Sequence, residues 1–179
     1  YLDPTRLFIS NNFGEAAGDT YNSIENLRGS DFADNLNGDD KANVIEGGEG
    51  NDTIRGLGGL DTLIGGGGDD SIQAGEYVDD DRNLFVSDQD LYGGDGNATI
   101  RSSSGNDQIF GEDGDDLIEL SNFVNIFSPG TPGNDTVDGG AGFDTVHFFN
   151  GAITVDLGAG VATYAGSNEA VKLIDVEGV

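Results

Sequence analysis

The chain of 179 residues carries 34 acidic and only seven basic side chains, which gives a formal net charge of −27. This balance excludes nucleic-acid binding through a basic surface and argues against attraction to anionic lipid. Cysteine is absent, which excludes disulfides and thiolate metal sites, and no apolar run approaches the roughly 18 residues of a membrane span. Glycine fills 31 positions, so the chain is either a flexible acidic linker or a glycine-based repeat, and the spacing of the glycines decides between them.

Residues 1–28 precede a repeat of nine residues and are predicted to form an N-terminal flank or cap. Two weak copies come first, GSDFADNLN (29–37) and GDDKANVIE (38–46), and three strong ones follow at 47–73: GGEGNDTIR, GLGGLDTLI and GGGGDDSIQ. The segment 74–92 then interrupts the repeat. We expect it to form either an extra distorted coil with an acidic loop, or a loop that binds a partner or a further ion.

The repeat returns at Gly93 with GGDGNATIR, SSSGNDQIF and GEDGDDLIE (93–119). A second insertion, 120–129, is apolar enough to pack on the repeat. Two more copies follow, GTPGNDTVD (130–138) and GGAGFDTVH (139–147). The repeat domain is therefore predicted at 29–147, and residues 148–179 are predicted to form a C-terminal cap or flank.

The ten copies share four positions. Gly holds the first and fourth in nearly every copy, Asp holds the sixth in eight copies, and the eighth is always aliphatic. The last three residues of a copy alternate outward, inward and outward, as in a short strand, so the eighth residue of each copy contributes to a narrow core. Glycines at positions one and four permit the positive φ values and the close backbone approach of a tight turn. This regularity excludes a disordered linker.

These nonapeptides resemble the repeats-in-toxin (RTX) family, whose pattern is G-G-x-G-x-D-x-U-x. The resemblance covers 29–147 apart from the two interruptions. It implies an all-β fold, a parallel β-roll or β-solenoid with capping flanks. Two nonapeptides make one coil of such a roll, so copies n and n+2 stack on the same side.

Stacking brings the position-six carboxylates together. Neighbouring coils lie about 4.8 Å apart, so Asp34, Asp52 and Asp70 are expected to face one another in a column. Two carboxylates at about 5 Å repel by roughly 3 kcal/mol at an effective dielectric near 20, which predicts a cation between the turns. Carboxylate and glycine carbonyl oxygens are hard ligands that suit Ca²⁺ better than Mg²⁺ or zinc. We therefore expect several calcium ions.

By resemblance to the family, each ion lies between copies n and n+2 and is held by position-six carboxylates and turn carbonyls. The implied pairs are Asp34 with Asp52, Asp52 with Asp70, Asp107 with Asp135, and Asp116 with Asp144. Asn43 opposite Asp61, and Ala98 opposite Asp116, are expected to make weaker sites. The full set of candidate metal ligands is Asp34, Gly47, Gly48, Glu49, Gly50, Asp52, Asp61, Gly65, Gly67, Asp70, Asp107, Gly111, Asp113, Asp116, Asp135 and Asp144.

The resemblance also implies a role, because RTX proteins leave the cell unfolded by type I secretion and fold on calcium outside it. The expected partners are calcium and the rest of a larger secreted parent protein. No catalytic residues are predicted, since the single histidine, His147, holds an outward position and no Ser/His/Asp constellation is evident. The alternative function is a non-catalytic adhesin or epimerase-type module that binds a surface or an anionic polysaccharide, with Arg55 and Arg101 at outward ninth positions.

Overall fold

The computed structural model describes residues 6–9, 21–22, 24–75, 77–78, 84–85, 88–120, 124–125, 128–129, 133–148, 153–157, 159–164 and 170–179. These residues form strands and turns, and none of them belongs to a helix that could cross a membrane. The strands are short, as a nonapeptide with one inward residue requires. In chain order they are β1 (Arg6–Ile9), β2 (Tyr21–Asn22), β3 (Asn26–Arg28), β4 (Asn35–Asn37), β5 (Val44–Glu49), β6 (Thr53–Arg55), β7 (Thr62–Gly67), β8 (Ser71–Gln73), β9 (Tyr77–Val78), β10 (Leu84–Phe85), β11 (Asp90–Asp95), β12 (Thr99–Arg101), β13 (Gln108–Asp113), β14 (Leu117–Leu120), β15 (Val124–Asn125), β16 (Ser128–Pro129), β17 (Thr136–Ala141), β18 (Thr145–Phe148), β19 (Ile153–Asp156), β20 (Val161–Tyr164) and β21 (Ala170–Ile174).

Two parallel sheets run the length of the molecule. The first sheet contains β4, β6, β8, β12, β14 and β18 in this order, and the second contains β3, β5, β7, β11, β13, β17 and β21. The chain alternates between the sheets, so each pair of strands completes one coil. This arrangement confirms the predicted all-β roll.

The eighth residue of each copy forms the core between the sheets. Leu36 pairs with Ile54 and Ile54 with Ile72 in the first sheet, while Ile45 pairs with Leu63 in the second. All of these side chains are at most 1% exposed. Each buried aliphatic side chain contributes about 1.5–3 kcal/mol, so stacking of coils supplies the apolar burial that a single coil lacks.

The interruption at 74–92 contains a strand of the roll. Leu91, in β11, pairs with Leu63 on one side and Ile109 on the other. The ring of Tyr92 stacks on that of Phe110 with centroids 5.0 Å apart. The spacing of position-six residues increases from 18 to 28 across this point. The segment therefore holds an eleventh copy that is split by about ten extra residues, which include the antiparallel hairpin of β9 and β10.

Both ends of the roll carry strands from the predicted flanks. At the N-terminal end β3 pairs with β5 in parallel, whereas β1 pairs with β4 in antiparallel orientation. At the C-terminal end β21 extends the second sheet in parallel beyond β17, and β20 and β19 then add to it in antiparallel orientation. The change of direction ends the parallel stack, while Val171 and Leu173 of β21 are buried in the core.

Candidate metal site

The turns that join the two sheets lie along two edges of the roll. The turns that lead from the second sheet to the first define the regular edge, and each has six residues: 29–34, 47–52, 65–70, 93–98, 111–116 and 139–144. The turns that lead back define the interrupted edge: 38–43, 56–61, 74–89, 102–107 and 120–135. The two long turns of the interrupted edge contain the hairpins of β9 with β10 and β15 with β16.

The position-six residues form a column of hydrogen bonds along each edge. On the regular edge the amide of Asp34 donates to Oδ1 of Asp52 at 2.8 Å, and the amide of Asp52 donates to Oδ1 of Asp70 at 2.7 Å. The amide of Asp116 donates to Asp144 Oδ1 at 3.0 Å in the same way. The interrupted edge repeats this pattern, with Asn43 donating to Asp61, Asp61 to Gln89, Gln89 to Asp107 and Asp107 to Asp135. One oxygen of each accepting side chain is thereby bound to the coil before it.

The second carboxylate oxygen, Oδ2, is buried without a hydrogen-bond partner in five of these residues. They are Asp52, Asp61, Asp70, Asp116 and Asp144, and each is at most 2% exposed. A buried ionised oxygen without a partner is costly, so such a group normally takes up a proton or contacts a cation. The five Oδ2 atoms are therefore the candidate metal-binding atoms.

Position-one glycines bring a second oxygen to each of these atoms. A methyl group on Gly47 would overlap both Oδ2 of Asp52 and the carbonyl oxygen of Gly65 in the next coil. Gly65 has the same relation to Asp70 and Gly93. Position one is thus glycine because of close approach, and its φ is not positive. The positive φ values that the sequence predicted at positions one and four occur at positions two and four, for example 115° at Gly48 and 112° at Gly50.

The backbone at position two distinguishes the unpartnered carboxylates from the others. The amide of Ser30 donates to Asp34 Oδ2 at 2.6 Å, that of Asp39 to Asn43 Oδ1 at 2.8 Å, and that of Ser103 to Asp107 Oδ2 at 3.2 Å. Those position-two residues do not have positive φ. In the turns with an unpartnered Oδ2, position two always has positive φ: Gly48, Leu57, Gly66, Glu112 and Gly140. The φ at position two therefore determines whether the chain itself caps the position-six side chain.

Burial raises the pKa of the unpartnered carboxylates. Loss of hydration, with smaller repulsion from neighbouring carboxylates, raises the pKa of Asp61 to about 7 and those of Asp70 and Asp116 to about 6. It also raises the pKa values of Asp52 and Asp144. For Asp61, whose ordinary value is 3.8, the ionised form costs the fold roughly 4 kcal/mol at neutral pH. A bound cation would remove this cost.

The other predicted ligands lie in the same turns but have different surroundings. Glu49 and Asp113 are exposed at position three. The carbonyl oxygens of Gly67 and Asp113 accept hydrogen bonds of 2.7 Å from the amides of Gly50 and Gly96. Gly111 has its Cα beside Asp116 Oδ2, as Gly47 has beside Asp52. Within the described ranges no three His, Cys, Asp or Glu side chains form one metal-binding group, so an ion here needs main-chain oxygens as well.

Several residues of the two edges have roles that the sequence did not reveal. Gln89 holds position six of the split copy, and its Nε2 donates to the carbonyl of Gly59 at 2.9 Å. Position five forms a second column, in which the amide of Asn97 donates to Asp69 Oδ1 and that of Asp115 to Asn97 Oδ1. These bonds run from the later coil to the earlier one, opposite to those at position six. Asparagine or aspartate next to the position-six residue is the only sequence signal for this column.

The comparisons with known proteins agree with this architecture. A family model described as the RTX calcium-binding nonapeptide repeat matches residues 28–63, 56–76, 92–125 and 129–147. Together these stretches cover more than half of the chain. No curated protein matches it.

Proposed function

The chain belongs to the family of RTX calcium-binding nonapeptide repeats, and from this premise we propose that it is a module that folds on calcium outside the cell as part of a larger secreted protein. The repeats of this family are structural and non-catalytic, and they imply Ca²⁺ as the bound ion. The number of ions, the residues that hold them and the coupling to secretion belong to the proposal.

The observation that carries the proposal is the set of buried, unpartnered Oδ2 atoms, each beside a carbonyl oxygen of the next coil. Asp52 would hold an ion with Gly65, Asp70 with Gly93, Asp116 with Gly139, and Asp61 with Ala74. Calcium accepts six to eight oxygens in flexible geometry, so carboxylate and carbonyl oxygens from two turns suit it. The charge of the ion would neutralise these carboxylates, whose ionised form is otherwise disfavoured by burial.

The sites need not bind equally. Asp34 and Asp107 were predicted ligands, but their Oδ2 atoms accept hydrogen bonds from the position-two amides of Ser30 and Ser103. An ion there would have to compete with a backbone donor. We therefore rank the pairs Asp34 with Asp52 and Asp107 with Asp135 below the four sites named above.

Calcium would act on folding because the unfolded chain has no such sites. The free energy of ion binding then adds to the free energy of folding. Extracellular calcium modules bind in the range of about 10⁻⁴–10⁻³ M, a concentration that cytosol does not reach. A chain with this affinity would stay expanded before export, because its net charge of −27 opposes compaction, and would fold after it.

Calcium titration of the isolated chain tests the proposal. Circular dichroism should change from coil to β-structure on addition of about 5 mM CaCl₂ and revert with a chelator, while the same concentration of MgCl₂ should leave coil. Equilibrium dialysis against about 5 mM calcium should find at least about four calcium ions bound per chain. Identical spectra with and without calcium, or a chain that binds no ion in dialysis, would refute the proposal.

The polysaccharide-binding alternative stays a prediction. One of the two arginines behind it, Arg101, contacts the carboxylate of Glu119 in the next coil. Its charge is therefore already partly compensated within the roll. This contact favours a structural role for Arg101 over contact with an anionic polymer.

A further inference from the structure

The segment after β21 continues the regular edge of the roll. Because β21 extends the second sheet, the residues that follow it occupy the next turn on that edge. Gly178 forms a parallel bridge with Thr145, and its amide donates to the carbonyl of Asp144 at 2.8 Å. The amide of Thr145 makes the equivalent bond with the carbonyl of Asp116 at 2.9 Å. Gly178 thus corresponds to position seven, and Glu177 corresponds to position six.

Glu177 makes the hydrogen bond that an aspartate makes in the regular copies. The amide of Asp144 donates to Glu177 Oε2 at 3.0 Å, as the amide of Asp116 donates to Asp144 Oδ1 at 3.0 Å. Only residues 175–177 separate Ile174 from Gly178, so this turn has half the usual length. The longer side chain of glutamate compensates for the shorter turn.

Asp175 supplies the carbonyl that a position-one glycine supplies elsewhere. A methyl group on Gly139 would overlap the Asp175 carbonyl oxygen and would lie 2.6 Å from Asp144 Oδ2. The same overlap at Gly111 involves the carbonyl of Gly139 and Oδ2 of Asp116. Asp175 has a φ of 44°, in the left-handed region that non-glycine residues rarely adopt. This conformation orients the turn so that the carbonyl oxygen of Asp175 lies against Gly139.

Asp144 is fully buried, with 0% exposure, and its Oδ2 has no hydrogen-bond partner. We propose that Asp144, Glu177 and the carbonyl of Asp175 form a further calcium site, which closes the C-terminal end of the regular edge. The site lies outside the nonapeptide pattern, whose last match ends at residue 147. The proposal of this terminal site rests on the proposed calcium function of the roll. Asp144 then serves two sites, one with Asp116 and one with Glu177.

Counting ions in three variants tests this site. Glu177→Gln keeps a side-chain oxygen that can accept the Asp144 amide but removes the charge, so at about 1 mM free calcium it should bind one ion fewer than the unaltered chain. Asp144→Asn should lose two. Glu46→Gln removes the same charge from an outward side chain of β5 that contacts Arg28, and it should lose none. Isothermal titration and native mass spectrometry give the counts, and circular dichroism checks the fold.

The outcomes separate this site from the general proposal. If the unaltered chain binds no calcium, the proposed function itself fails. If the unaltered chain binds calcium and Glu177→Gln binds as many ions with unchanged affinity, only the terminal site is refuted. As a second readout, hydrogen exchange at the Gly178 amide should slow about tenfold or more with calcium in the unaltered chain and much less in Glu177→Gln. An equal slowing in both chains would also overturn the terminal site.

Discussion

The two edges of the roll are built from the same nonapeptide but treat the position-six side chain differently. On the regular edge Asp52, Asp70, Asp116 and Asp144 each keep a buried oxygen without a partner. On the interrupted edge Asp61 does so, whereas Asn43 and Asp107 are capped by the amides of position two. The split copy has Gln89 at position six. One edge thus leaves a buried carboxylate oxygen unpartnered in most of its turns, and the other satisfies more of its side chains from the chain itself.

The comparison also explains where the insertions lie. Both hairpins belong to the interrupted edge, and the six-residue turns of the regular edge are uninterrupted from residue 29 to residue 144. On the proposed function, a cation between two turns would require both of them to keep their oxygens in place, so an insertion would cost more on the regular edge. Turns that are closed by hydrogen bonds of their own tolerate extra residues, since loop length has a weak effect on closure entropy.

Neutralising one carboxylate on each edge should give the largest contrast. Asp52→Asn should lose about one calcium ion and roughly 2 kcal/mol of stability in about 5 mM calcium, because the remaining side-chain oxygen lacks the charge that holds the ion. Asp107→Asn should keep every ion, because Ser103 already caps the oxygen concerned. Calcium counts by titration and denaturant unfolding in about 5 mM calcium measure both effects.

The two substitutions keep the same bond to the preceding coil, but Asp107→Asn also sets its amide group against the Ser103 amide, so the calcium count and not the stability decides between the edges. An asparagine at either position still offers Oδ1 to the amide of the preceding coil, Asp34 in one case and Gln89 in the other. A loss of one ion from Asp107→Asn would show that the interrupted edge binds calcium despite its backbone caps. The contrast between the edges would then be wrong.

A methyl group at position two should have the next largest effect. Gly66 has a φ of 111°, and a Cβ there would overlap the carbonyl oxygen of Gly48, so Gly66→Ala should lose about 2 kcal/mol or more. Ser103→Ala, at the same position of a capped turn, should lose less than about 1 kcal/mol, because the capping amide belongs to the backbone. Thermal unfolding with calcium measures both. Equal losses would mean that the conformation of position two does not distinguish the turns.

Acid should weaken calcium binding on the regular edge. Burial raises the pKa of Asp70 and Asp116 to about 6, so these groups take up protons well before the unfolded chain does. Protonation therefore stabilises the calcium-free fold most below the ordinary pKa of 3.8, and this contribution is lost as the pH rises through about 6. Calcium binds the ionised carboxylates. The calcium concentration at the midpoint of the titration should therefore rise about tenfold when the pH is lowered from about 8 to about 5.5. A midpoint independent of pH would contradict ligation by these carboxylates.

The sequence predicts the coils well and the state of each turn poorly. The nine-residue spacing places Ile54 on Ile72 and Asp52 beside Asp70, because two copies make one coil throughout. It does not give φ at position two, where Leu57 and Glu112 adopt positive values and Ser103 does not. Those values depend on contacts with the neighbouring coil. Gln89 and Glu177 escape the pattern for a simpler reason, since an insertion splits one copy and the loss of three residues shortens the other turn.

Removal of a hairpin from the interrupted edge should have the smallest effect. Deletion of residues 76–85, combined with Ser87→Gly to supply the glycine of position four, joins Gly75 to Val86 and leaves AGVGDQ, a six-residue turn that ends at Gln89. Shortening the turn should change stability by no more than about 1 kcal/mol, by its effect on loop closure. The calcium count should be unchanged, because Asp61 keeps both Gly56 and the carbonyl of Ala74 beside its Oδ2. Deletion of 121–130 restores a six-residue turn in the other long loop and should behave alike. Loss of an ion in both deletions would mean that the hairpins support the ion-binding turns, and the two edges would then not be independent.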